Sequence, residues 1–129
     1  MQNSQDNINE LTEKVIGAAI EVHRRLGPGL LESAYEACLA YELSARGIPF
    51  ERQVELPVKY KEVEIDCGYR IDILVDKTLI LELKASEGVL PIHRAQILTY
   101  MQLFGCKYSL LINFNVMLLK DGIQRFIQD

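Results

Sequence analysis

The chain has 129 residues, 49% hydrophobic and 25% charged, which suits a single domain over residues 1–129 and excludes a disordered chain. A net charge of −4 and a pI near 5.2 exclude a protein held on nucleic acid by bulk positive charge, so any such binding has to be local. The longest uncharged runs, Ala95–Cys106 and Tyr108–Leu119, are shorter than the roughly 20 apolar residues of a membrane helix, and the first residues carry no secretory signal. Cys38, Cys67 and Cys106 form no CxxC pair, so neither a zinc site nor a disulfide framework is expected, and a reduced cytoplasmic home fits.

In chain order, Ile8, Leu11, Val15, Ala18, Ala19, Val22 and Leu26 recur at three- and four-residue steps and predict a first helix. Asn7 is placed to cap it, with Glu10 bonding back, and Gly27-Pro28-Gly29 ends it. That loop lacks the GK[ST] ending of a phosphate cradle and reads as the turn that aims Glu32 at a sheet. A second helix is predicted from about Leu30 to Arg46, closed by Gly47.

From Phe50 the period changes to two. Val54, Leu56 and Val58, then Val63, Ile65 and Cys67 beyond Lys61-Glu62, suggest a hairpin. Ile71–Val75 and Leu79–Lys84 are dense in branched residues and predict two more strands. Pro91 suits the first turn of a helix running to about Phe104, where Gly105 stops it. Tyr108–Phe114 reads as a strand buried on both faces, and Asp121-Gly122 as a type I′ turn into a last strand bearing Ile123, Phe126 and Ile127.

Chemistry is concentrated in Tyr69-Arg-Ile-Asp72 and Leu81-Glu82-Leu83-Lys84. Strand alternation puts Glu82 and Lys84 on one face. A two-residue loop at Asp76-Lys77 would set Asp72 opposite Leu81 and separate the two acids; a three-residue loop, Asp76-Lys77-Thr78, sets Asp72 opposite Glu82. The chemistry requires the odd loop or a bulge. Two carboxylates with water and a backbone carbonyl, here that of Leu83, suit Mg²⁺, and Lys84 would orient a water or stabilise charge growing on phosphate. The plainer readings are a surface strand with one acid–lysine pair and a structural ion-pair network without a ligand. Glu32, Tyr35, Glu36 and Leu39 form a second row on one helix face, and His93, Gln96 and Tyr100 a third, with Tyr35 and Tyr100 expected to be partly buried. His23, Arg24, Arg25, Arg52, Arg70 and Arg94 are candidates for a phosphate track.

Gly29-Leu-Leu-Glu32-Ser-Ala-Tyr35 resembles the signature of the GxxExxY protein family. Arg70-Ile-Asp72, Glu82-Leu-Lys84 and Gln96-Ile-Leu-Thr-Tyr100 resemble successive motifs of the PD-(D/E)XK nuclease superfamily, the last being similar to the QxxxY element of its RecB-like branch. The similarity runs from about Ile8 to Ile127, with Ile71 standing where the superfamily has proline. It implies an α/β restriction-endonuclease-like core, a central mixed sheet flanked by helices. It also implies a nuclease that hydrolyses phosphodiester bonds in DNA, with RNA as the alternative substrate. Asp72, Glu82, Glu32 and the Leu83 carbonyl would hold Mg²⁺ (or Mn²⁺), Lys84 would assist the attacking water, and Gln96 and Tyr100 would support Lys84 or touch the substrate backbone. A homodimer is the assembly the resemblance suggests. The rival expectation is a non-catalytic module that binds nucleic acid or protein on the same scaffold.

Overall fold

The computed structural model describes residues 4–128. Helices α1 (Ser4–Leu26) and α2 (Glu32–Ala45) precede strands β1 (Phe50–Glu55), β2 (Val58–Tyr60), β3 (Val63–Ile65), β4 (Arg70–Val75) and β5 (Leu79–Lys84). Helix α3 (Pro91–Phe104), β6 (Tyr108–Asn113), a 3₁₀ turn (Leu119–Gly122) and β7 (Ile123–Ile127) complete the chain. Five strands form one sheet in the order β1-β4-β5-β6-β7, with β5 and β6 parallel and the other neighbours antiparallel. The expected mixed sheet flanked by helices is present.

Its two faces are filled differently. Ile73, Val75, Leu79, Leu81, Leu83, Leu110 and Ile112 pack under Val15, Ala18, Ala19 and Val22 of α1 and Tyr35, Leu39 and Leu43 of α2. Ile71, Leu74 and Ile80 pack with Tyr100 and Met101 of α3. Strands β4, β5 and β6 are covered on both sides, which is why they read as near-continuous apolar runs. Helix α3 carries the chain from β5 across to the parallel β6, the crossover that parallel neighbours require.

Helix ends follow local chemistry. Gly47, with φ of 71°, closes α2 while its N–H bonds the Ser44 carbonyl at 3.0 Å and that of Ile48 bonds Leu43 at 2.9 Å, a Schellman motif. Helix α2 begins at Glu32, two residues after the predicted start, because Gly29 adopts φ of 102° and Leu31 stays extended. Helix α1 begins at Ser4, so Asn7 lies inside it and is not its cap.

Two hairpin expectations need correction. Lys61-Glu62 does turn a hairpin, pairing Tyr60 with Val63, but it forms a separate two-stranded ribbon. Val54 and Leu56 do not continue into it: β1 ends at Glu55, Pro57 intervenes, and β1 pairs with β4. At the other end, Asp121-Gly122 makes no type I′ turn; it closes the 3₁₀ turn in the longer connection from Asn113 to Ile123. Gly122 has no positive φ, and a Cβ on it would stand 2.1 Å from the Asn113 carbonyl oxygen. Glycine is required there by closeness to β6. Gly122→Ala is therefore expected to lower stability by about 2–4 kcal/mol, read as a fall in the denaturant midpoint at unchanged m-value.

Candidate active site

The turn between β4 and β5 decides what the two acids do. Asp76 and Lys77 adopt φ of 49° and 56°, and the Thr78 N–H bonds the Val75 carbonyl at 3.0 Å. Thr78 is then the extra residue, so Val75 pairs with Leu79, Leu74 with Ile80 and Ile73 with Leu81. This is the odd loop the chemistry required, and the next position in the register sets Asp72 against Glu82.

Backbone pairing stops at that level and side chains take over. Asp72 Oδ2 accepts the Leu83 N–H at 2.8 Å, and Glu82 Oε1 accepts the Asp72 N–H at 3.3 Å. Each carboxylate thus holds the other acid's strand. On the far side of β4 the β1 ladder also skips a step: Arg52 pairs with Ile73 and Val54 with Ile71, while Gln53, between them, takes a left-handed φ of 50°. Glu82 is 5% exposed. Burial, then the neighbouring Asp72 charge, pushes its pKa from the ordinary 4.5 to about 8. Burial raises Asp72 to about 6 against the lowering effect of the Leu83 N–H, with the charges of Glu36 and Glu32 adding to the rise.

Lys84 is half-buried on the same strand as Glu82, and its charge favours the ionised form of both acids. Its ammonium makes no ion pair or hydrogen bond among the described residues, so it is not locked into a structural bridge. Glu32 is exposed at the start of α2, where its charge reaches both carboxylates. Gln96 donates from Nε2 to the Tyr100 hydroxyl at 3.0 Å. The Tyr100 hydroxyl is pushed up by burial and then by the Glu82 charge, and its ring lies 5.9 Å from that of Tyr69. Asp72, Glu82, Lys84, Tyr100 and Gln96 thus come to one end of the sheet, with Glu32 at its margin.

Other candidates have structural employment. The Tyr35 ring stacks on Phe114 at 4.4 Å, and its hydroxyl donates to the Gly27 carbonyl and accepts the Leu30 N–H, which holds the loop before α2. His93 Nδ1 accepts the Leu90 N–H at 3.1 Å and caps α3. His23 drops out of the phosphate track because it is buried, with Nε2 2.7 Å from the Val116 carbonyl. Arg24 and Arg25 are both bound to Glu21 on α1. Glu36, one turn beyond Glu32 on the row expected from the sequence, has partners that the sequence did not show. It is 8% exposed and accepts bonds from Arg52 at 3.0 Å and Gln53 at 2.7 Å.

Among the described residues no three acid, histidine or cysteine side chains form a group that could hold a metal. Two carboxylates are nonetheless sufficient protein ligands for Mg²⁺, which keeps several waters and takes further oxygens from a substrate phosphate. Asp72 and Glu82 fit that requirement. Each uses one oxygen on a backbone N–H while the other has no bond among the described residues, and their mutual repulsion is relieved by a cation. The Leu83 N–H points at β4, and in an extended strand the carbonyl of the same residue points the same way, towards Asp72.

Without a cation, the Glu82 carboxyl is an acid whose folded value exceeds its unfolded one. Its contribution to stability is complete below the ordinary value of 4.5 and declines as pH rises towards 8. Glu82→Gln is expected to melt higher than the parent at pH 8, by an equivalent of about 1–3 kcal/mol, and to lose that advantage at pH 4 in chelator. Parallel melting profiles would contradict the strained acid pair.

A sequence model of the PD-(D/E)XK nuclease superfamily matches residues 9–126. No curated protein and no solved structure matches the chain.

Proposed function

The chain belongs to the PD-(D/E)XK nuclease superfamily, whose substrates are nucleic acids, and from that premise we propose that it is a divalent-metal-dependent nuclease of the GxxExxY type acting on DNA, with RNA as the alternative substrate. The observation that carries this reading is the placement of Asp72 opposite Glu82 by the three-residue turn, with the Lys84 charge acting on both and its ammonium without a bonded partner among the described residues.

Asp72, Glu82 and the Leu83 carbonyl would hold Mg²⁺, or Mn²⁺, with Glu32 joining from α2. When bound, such an ion polarises a phosphodiester oxygen and acidifies water. The chain's own groups account for the rest. Glu82 must lose its proton for a cation to bind, so affinity falls as pH drops below about 8. Lys84 keeps its donors free for an attacking water or for charge growing on phosphate. Gln96 fixes the rotor of the Tyr100 hydroxyl beside Glu82, so that the two side chains wall the site and meet the substrate strand. Helix α2 presents Glu32 because Tyr35 ties down the loop before it.

One observation favours the rival reading, a binding module on the nuclease scaffold: each carboxylate is already engaged by a backbone N–H. Cleavage decides between them. Purified protein is expected to cut DNA with Mg²⁺ or Mn²⁺ and not in EDTA, and Lys84→Ala or Asp72→Asn is expected to reduce the rate by about 10²-fold or more while the fold survives. Absence of cleavage on single-stranded, duplex and branched substrates, with cation binding retained in calorimetry, would support the binding module.

A further inference from the structure

We infer that Arg52 is a contact to the phosphate backbone of the nucleic acid, held in position by Glu36; the inference rests on the nuclease reading and names how the same site grips its substrate. Arg52 lies on β1 opposite Ile73, one residue from the position facing Asp72. Its Nε donates to Glu36 Oε2 at 3.0 Å, and its terminal amino groups have no partner among the described residues. The side chain is 44% exposed and so keeps a guanidinium edge in solvent beside Glu36, the acid whose charge acts on Asp72. Glu36 is fixed in turn, since Gln53 Nε2 binds its other oxygen at 2.7 Å and the Gln53 backbone takes its left-handed turn at this point. The carboxylate is nine-tenths buried, and a buried charge needs partners on both oxygens.

Because Gln53 holds the other oxygen of Glu36, Arg52 reaches the carboxylate through Nε alone. Using Nε alone leaves the wider donor face free and orients it, which suits a phosphate better than a flexible surface cation does. Four other arginines are paired with acids: Arg24 and Arg25 share Glu21, Arg46 binds Glu42, and Arg70 lies near Glu55 and Asp66, while Arg94 is exposed on α3 without an acid anchor to orient it among the described residues. In a chain of net charge −4, a cation fixed on Glu36, one strand from Asp72, supplies a local attraction that bulk charge does not.

The test is binding of a fluorescently labelled random-sequence DNA duplex, and of its single strand, in Ca²⁺ buffer over a range of salt concentration. Arg52→Ala is expected to weaken binding roughly tenfold on every sequence and to reduce the slope of log K against log salt by about 0.7–0.9, the value of one phosphate contact. Arg52→Gln retains a donor for Glu36 and guards against a folding defect; it is expected to lose the same slope. Arg24→Ala serves as a charge control with the parent slope. Glu36→Gln is expected to weaken binding, because the guanidinium loses its anchor; tighter binding would show that Glu36 merely quenches the charge and would overturn the inference. Parent affinity and slope in both Arg52 variants would overturn it as well, with cleavage by the parent protein leaving the nuclease reading intact. If the parent protein neither binds nor cuts, both fall; if it binds without cutting and the slope is lost in the variants, the contact stands on a binding module.

Discussion

Two reciprocal hydrogen bonds, Asp72 carboxylate to Leu83 N–H and Asp72 N–H to Glu82 carboxylate, organise the end of the sheet on which everything else depends. They stand where ordinary ladder bonds would run between β4 and β5. Backbone–backbone bonds would have closed the sheet and left the acids outside; side chain–backbone bonds draw them in and leave a gap. The Coulomb strain of two adjacent carboxylates is stored in that gap, because turn, register and two packed faces hold the strands together whatever the acids prefer.

The surroundings supply unequal environments for the pair. Glu82 has Tyr100 beside it and is the more deeply buried, whereas Asp72 keeps a strong donor in the Leu83 N–H and faces the acids of α2. One proton therefore resides mainly on Glu82 near neutral pH. A cation, a proton and the Lys84 ammonium compete for the same negative charge, and the hydrophobic cover from α1, α2 and α3 makes that competition sharper than it would be in water.

Much of this was legible in the sequence where local rules act alone. The facing of Asp72 and Glu82 follows from the parity of Asp76-Lys77-Thr78, because strand alternation leaves only two choices. Helix α3 was readable from Pro91 and Gly105, which are start and stop signals with a mechanism. What escaped depended on partners distant in the chain. Glu36 was placed on the Glu32 face of its helix, but its partners appear only once β1 brings Arg52 and Gln53 across to it. Gly122 suggested a tight turn because Asp-Gly so often makes one, and only the approach of the Asn113 carbonyl shows the other reason for a missing Cβ. His23 looked like a surface cation until Val116 closed over it.

The chain leaving β5 is clasped by a single amide. Asn113 donates to the Ser86 carbonyl at 3.0 Å and accepts the N–H groups of Ser86 and Asn115, while the Phe114 N–H takes the Lys84 carbonyl at 2.9 Å. The peptide framework on which the ammonium is mounted is therefore rigid on the side away from β4, and the amine sweeps only the arc its four methylenes allow. Stilling it costs about 1.5–2 kcal/mol of rotamer entropy and nothing in main-chain freedom, so the reach of that one tether sets how far from the acids a reactive oxygen is served.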